Sequence, residues 1–220
     1  MTKREQICRA VEEIGLVPVI RLPSAELAVR AVEAVLLGGI SVVEITMTVP
    51  GAVPLIRALV DRFGSRAIVG AGTVLTAADA LACIDAGAAF IVGPGTDLAT
   101  IQTARERDVA VMPGALTPTE VITAWNAGAD MVKIFPCSAL GGARYVRALK
   151  GPLPQIKLLP TGGISAATAG EYIAAGAAAL GVGSELVDHA SLESGRDEVI
   201  TERARELVRA VSEARSAQKR

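Results

Sequence analysis

Residues 25–48 read AELAVRAVEAVLLGGISVVEITMT: a pattern of helical period over Ala25 to Leu37, a Gly38-Gly39 break, and a β-branched run from Ser41 to Thr48. Glycine at a helix end takes the left-handed conformation that other residues resist, so the break reads as a helix stop ahead of a strand. The unit recurs. Further β-branched runs lie at Val17–Arg21, Ala67–Val74, Phe90–Thr96, Val109–Ala115, Met131–Pro136, Ile156–Gly163 and Ala179–Leu186. Helical patterns fill the gaps, as at Pro54–Phe63 and Ala77–Ala86, and Ala86-Gly87, Ala127-Gly128 and Ala175-Gly176 close them. Strand, turn, helix and glycine at this short period are the signature of βαβ units in a parallel sheet. Eight such units predict an α/β fold closed into a (β/α)8 TIM barrel, one domain over residues 1–220. A doubly wound open sheet is the competing arrangement, and the lack of GxGxxG at the first βα turn counts against it. Residues 1–16 add an N-terminal capping helix, centred on 2–15, as a lid on the N-terminal mouth. Glu198 to Arg215 reads as a last amphipathic helix.

Composition narrows the function. The 220 residues carry 22 Lys and Arg against 23 Asp and Glu, a net charge of −1. With no basic stripe, nucleic-acid binding is not expected. A single histidine, His189, excludes a three-histidine metal site and reads as a surface or capping residue. Cys8, Cys83 and Cys137 show no CxxC spacing, which predicts free thiols rather than a disulfide or zinc framework. No apolar run approaches a membrane span or a signal peptide, so a soluble cytoplasmic protein is expected.

Active sites of such barrels lie at the C-terminal ends of the strands. The polar residues there are few: Arg21, then Glu44, Thr46 and Thr48, then Thr73, Lys133, Thr161-Gly162-Gly163 and Gly183-Ser184. Strand side chains alternate faces, so Glu44, Thr46 and Thr48 share one face and Lys133 shares another with Phe135. The outer face packs on apolar helices, which sends both polar sets into the lumen. Of the five lysines, Lys3 and Lys219 are terminal, Lys150 falls in an expected loop, and Lys157 starts a strand at the far end. Lys133 alone is embedded in an apolar run. Burial of an ammonium lowers its pKa, and a neutral lysine is a nucleophile toward carbonyl carbon. Glu44 beside it reads as a proton shuttle. The competing reading is a Lys133–Glu44 ion pair that only fixes strand order, in an isomerase or binding protein for phosphate ligands. Thr161-Gly162-Gly163 and Gly183-Ser184 stand where barrels commonly hold phosphate on bare backbone N–H groups. Gly70–Thr73 and Gly93–Thr96 are weaker candidates that leave room in the lumen. Thr117 to Glu120 is a capping box and marks a helix start.

In order, VPVIR, VVEITMT, GAGTV, GPGT, PGALTPTE, VKIFP, PTGGI and GVGSELV resemble the short class I aldolases that cleave 2-keto-3-deoxy-6-phosphogluconate and 4-hydroxy-2-oxoglutarate. The resemblance runs over nearly the whole chain. It implies a metal-free, cofactor-free lyase, usually a homotrimer, of Entner–Doudoroff-type carbohydrate metabolism. Its products are pyruvate with glyceraldehyde 3-phosphate, or pyruvate with glyoxylate; an aldolase for the galactonate epimer is a variant of the same reading. It also implies Lys133 as Schiff-base lysine, Glu44 as general acid/base, and Thr73, Pro94 and Phe135 around pyruvate. Thr161, Gly162, Gly163 and Ser184 match the substrate-phosphate site. Many members carry a carboxylate-binding arginine on strand 2 where this chain has Thr48, so the resemblance moves that task to Arg21. Cys137 stands where alanine is commoner.

Overall fold

The computed structural model describes residues 1–218; Lys219, and with it the end of the expected 1–220 unit, lies outside the described residues. Helix α1 (Lys3–Ile14) leads into β1 (Leu16–Ile20), α2 (Ala25–Leu37), β2 (Val42–Thr46), α3 (Ala52–Phe63), β3 (Ile68–Gly72), α4 (Ala77–Asp85) and β4 (Phe90–Val92). There follow α5 (Leu98–Glu106), β5 (Ala110–Met112), β6 (Gly114–Ala115), α6 (Pro118–Asn126), β7 (Val132–Ile134), α7 (Ala143–Lys150) and β8 (Leu158–Pro160). The chain closes with α8 (Ala166–Ala174), β9 (Leu180–Val182), α9 (His189–Glu193) and α10 (Asp197–Gln218).

The helices begin where short polar side chains meet the orphan N–H groups of the first turn. Thr2 with Glu5 and Thr117 with Glu120 form capping boxes on α1 and α6, and Ser24, Thr76 and Asp97 cap α2, α4 and α5. Past the helix ends, Gly39 (φ 94°) and Gly176 (φ 97°) turn the chain back toward the sheet. Among the described residues no helix is long and apolar enough to cross a membrane.

The sheet is parallel, curled, and runs in two arcs, β5-β4-β3-β2-β1-β9 and β6-β7-β8. The fifth expected run, Val109–Ala115, is split into β5 and β6 at Pro113, which has no N–H to give to a ladder. At the other junction Thr161 bridges Gly181, and the Ala178 N–H donates to the Leu158 carbonyl at 2.9 Å.

Alternation sorts the core into two clusters. Val43, Ile45, Val132 and Ile134 face the helices. Val17, Val42, Phe90, Ala110, Met112, Met131 and Leu159 face one another inside the curl, with Cys8 and Val11 of α1 packed among them. The expected lid therefore contributes apolar side chains to the inner cluster. Its polar face is tied down by Arg4, 3.2 Å from Asp130 and 3.4 Å from Asp108, and by a Glu12–Lys157 pair. Lys150 corrects a sequence expectation. It is the last residue of α7 rather than part of a loop, because the basic end of that helix donates to the carbonyls of Pro154 and Ile156.

Candidate active site

Glu44 lies two residues beyond Val42 of the inner cluster, and Lys133 two beyond Met131, so both side chains enter the curl above its apolar floor. Glu44 is 1% and Lys133 5% exposed. Lys133 Nζ is 3.7 Å from Glu44 Oε1, an ion-pair distance that is too long for a hydrogen bond. Among the described residues Glu44 Oε1 has no hydrogen-bond partner. Burial pushes the Glu44 carboxyl up from its ordinary range, and Lys133 and then Arg21 pull the other way without cancelling it.

Space for the carboxylate comes from the neighbouring strand. Thr46 of β2 pairs with Gly72 of β3, and a Cβ at Gly72 would overlap Glu44 Oε1. On β9, a Cβ at Gly181 would overlap Thr161 Oγ1. Gly72 of GAG and Gly181 of GVG are thus close-approach positions inside the curl, a role that only the three-dimensional pairing reveals.

Above the pair opens a cavity of about 360 Å³. Of the expected site residues, Arg21, Thr73, Pro94, Lys133, Phe135, Thr161, Gly162, Gly163 and Ser184 all line it. Arg21 donates to Thr73 Oγ1 at 3.1 Å. Thr73 sits at φ 56°, a left-handed conformation unusual for a β-branched residue, which turns the chain off β3 at the cavity wall. Lys133 Nζ stands 5.6 Å from the centre of the Phe135 ring, which screens one side of the amine. The N–H groups of Gly162, Gly163 and Ser184 meet no carbonyl among the described residues and border the cavity. Thr161 is buried, and its hydroxyl is directed at the Leu159 carbonyl, 3.3 Å away.

Two expected residues do not line the cavity: Glu44 is buried and reaches the site only through Lys133, and Thr48 is not brought there at all. Thr48 is exposed and outside the cavity, because β2 ends at Thr46 and the Val49 N–H bonds back to the Thr46 carbonyl at 3.0 Å. Alternation stops where the strand stops, so the shared face of Glu44, Thr46 and Thr48 does not extend to its third member. Thr48 Oγ1 instead lies 2.8 Å from Thr46 Oγ1, which in turn donates to the Ile20 carbonyl. Conversely, Glu185 and Val19 line the cavity and were not singled out by sequence. The alternation of β1 from Arg21 back to Val19 was the available signal for Val19; an acid in a loop carries none.

The remaining candidates do not line this cavity, although His189 borders an adjoining pocket together with Arg21 and Ser184. Cys137 is buried with its Sγ 3.7 Å from the Gly142 carbonyl, and burial pushes its thiol up to about 11. His189 is half-exposed on α9, 3.3 Å from Glu193. Among the described residues no group of three His, Cys, Asp or Glu side chains is placed to hold a metal ion. What the site offers chemically is an amine and a carboxylate in a nearly dry floor, a guanidinium on one wall, and bare N–H groups at the rim.

Comparison with known proteins gives the same direction. A family model described as KDPG and KHG aldolase matches residues 7–202. The chain is 37% identical over 193 residues to a KHG/KDPG aldolase of Escherichia coli (strain K12), covering 88% of this chain and 90% of the relative. It is also 37% identical over 175 residues to a 2-dehydro-3-deoxy-6-phosphogalactonate aldolase of the same strain, covering 79% and 85%. Among solved structures, a KDPG aldolase from Legionella pneumophila, with pyruvate captured as a covalent carbinolamine, superposes with a TM-score of 0.84. That match has 29% identity and covers 91% of this chain and 97% of the other.

Proposed function

Because the chain belongs to the KDPG and KHG aldolase family, we propose that it is a class I aldolase that cleaves 2-keto-3-deoxy-6-phosphogluconate to pyruvate and glyceraldehyde 3-phosphate. 4-Hydroxy-2-oxoglutarate, cleaved to pyruvate and glyoxylate, is its second substrate. The observation that carries the reading is Lys133, 5% exposed and lining the cavity, with its amine 3.7 Å from a buried carboxylate oxygen that has no hydrogen-bond partner among the described residues. A pair that served only to fix strand order gains from hydrogen-bonding its oxygens, since unmet buried charge is costly. An unmet oxygen beside an amine suits a carboxylate that exchanges protons with substrate.

The Lys133 nitrogen attacks the C2 carbonyl to give a carbinolamine, and loss of water gives the iminium. Removal of the C4 hydroxyl proton breaks the C3–C4 bond; its electron pair moves into the enamine, and the aldehyde departs. The enamine takes a proton at C3, and water attacks the resulting iminium to release pyruvate and restore the amine. Glu44 carries these protons. Arg21, held by Thr73, binds the substrate carboxylate, and Pro94 and Phe135 enclose the methylene carbon. Gly162, Gly163, Ser184 and the neighbouring Thr161 receive the phosphate. No metal or organic cofactor takes part.

At the level of the whole chain, the two arcs form one (β/α)8 barrel and one domain, with α1 as its lid, in a cytoplasmic homotrimer. The apolar side chains of Leu75 and Leu98, 60% and 56% exposed after adjacent strands, support an interface between copies. Incubation with pyruvate and borohydride tests the mechanism: the reading requires an irreversible mass gain on Lys133 and none on Lys150 or Lys157. Parallel assays on the gluconate and galactonate epimers then settle which C4 configuration is cleaved faster.

A further inference from the structure

Resting on that reading, we propose that Glu185 sets selectivity at the far end of the substrate by disfavouring a phosphate dianion against an uncharged hydroxyl terminus. Leu186 and Val187 both donate their N–H groups to the Gly183 carbonyl, at 3.0 and 2.9 Å, which lifts Ser184 and Glu185 onto the crest of one tight turn. Both residues line the same cavity as Gly162, Gly163 and Lys133. Glu185 is exposed and makes no ion pair among the described residues, whereas Glu12, Glu13, Glu33 and Glu202 each do. Within the cavity Arg21 is turned to Thr73, and Lys133 lies on the floor beside Glu44, so neither is paired with it.

The rim therefore presents two opposed signals. Bare N–H groups and the Ser184 hydroxyl donate to any oxygen. The carboxylate beside them repels a phosphate, which carries about −1.5 to −2 charges near pH 7, yet accepts a hydrogen bond from a hydroxyl. A rim built for phosphate alone gains nothing from an acid at this position.

The experiment compares kcat/KM for 2-keto-3-deoxy-6-phosphogluconate with that for its unphosphorylated counterpart. Glu185→Gln should raise the phosphorylated-to-unphosphorylated ratio about 3- to 10-fold at low ionic strength, the scale of an exposed like-charge contact. The gain should fade near 1 M salt, where the screening length is about 3 Å. Inorganic phosphate, titrated by calorimetry against the resting protein, should bind more tightly by a similar factor, and Glu185→Asp should keep the wild-type ratio. An unchanged ratio, an equal change on both substrates, or a gain that survives high salt overturns the proposal. Failure of borohydride trapping on wild-type Lys133 strikes the aldolase reading instead, and the phosphate-binding arm still reports on Glu185.

Discussion

Lys133 and Glu44 should respond differently to conservative replacement. Lys133→Arg keeps a positive charge but forms no imine, because guanidinium stays protonated. It should lose turnover and pyruvate trapping together while circular dichroism shows it folded; a near-wild-type rate would return the pair to a structural role. Glu44→Gln should still be trapped by borohydride, but turnover should fall about 10²- to 10⁴-fold with the loss of proton transfer. The same variant reads the buried acid. Burial raises the Glu44 pKa in the fold, so its contribution to stability is full below the ordinary carboxylate range and is lost as pH rises through the raised value. The wild-type Tm should therefore drop against Glu44→Gln across that window, and a constant difference would show that the carboxyl titrates as in the unfolded chain. At the rim, Ser184→Ala should raise KM more for the phosphorylated substrate than for 4-hydroxy-2-oxoglutarate. One hydrogen bond to a charged group is worth about 1.5–3 kcal/mol, or roughly 10- to 150-fold in binding, and equal losses would take phosphate away from this loop. Lys133 and Glu44 were legible in the sequence because a charge inside an apolar strand has only the lumen to face. Periodicity cannot say where a strand ends, so it carries the shared face on to Thr48, and an acid in a loop such as Glu185 leaves no signal in the sequence.

At the scale of elements, the helices declared themselves through their caps and the strands less well. α2 runs from Ala25 to Leu37 as its apolar period requires, with Ser24 accepting from the Leu27 N–H. β2 is shorter than the Ser41–Thr48 run, and the fifth run divides at Pro113 because the ladder needs a donor that proline lacks. Least visible were contacts between strands: nothing in the string GAG says that the second glycine must leave room for a carboxylate one strand away. Gly72→Ala tests that contact. The added Cβ has Glu44 Oε1 in its place, so the carboxylate must swing off its position beside Lys133. Turnover should fall on the scale of Glu44→Gln, about 10²-fold or more, although neither Glu44 nor Lys133 is altered. An active Gly72→Ala enzyme would mean that Glu44 reaches the substrate from elsewhere.

Over the whole molecule the two ends of the curl have separate tasks. Glycine loops, Arg21 and the lysine–glutamate pair crowd the C-terminal ends of the strands, whereas the N-terminal ends hold an apolar layer, the docked α1 and the ion pairs of Arg4 and Glu12 that fasten it. This division is expected of barrels, where one face carries chemistry and the other stability. Val11 is fully buried in the inner cluster with residues of several strands and does not line the cavity. Val11→Ala removes two methyl groups from a packed interior, a change that costs about 1–3 kcal/mol through lost burial and the void left behind. For a chain of this length each kcal/mol moves the midpoint by about 2–4 °C, so Tm should fall by several degrees. Since no residue of α1 is among those that line the cavity, kcat/KM at 25 °C should stay within about twofold of wild type, the scatter expected of a distant, uncoupled site. A loss of catalytic efficiency that parallels the loss of Tm would show that packing under α1 positions Lys133 and Glu44, and that the two ends of the curl are coupled.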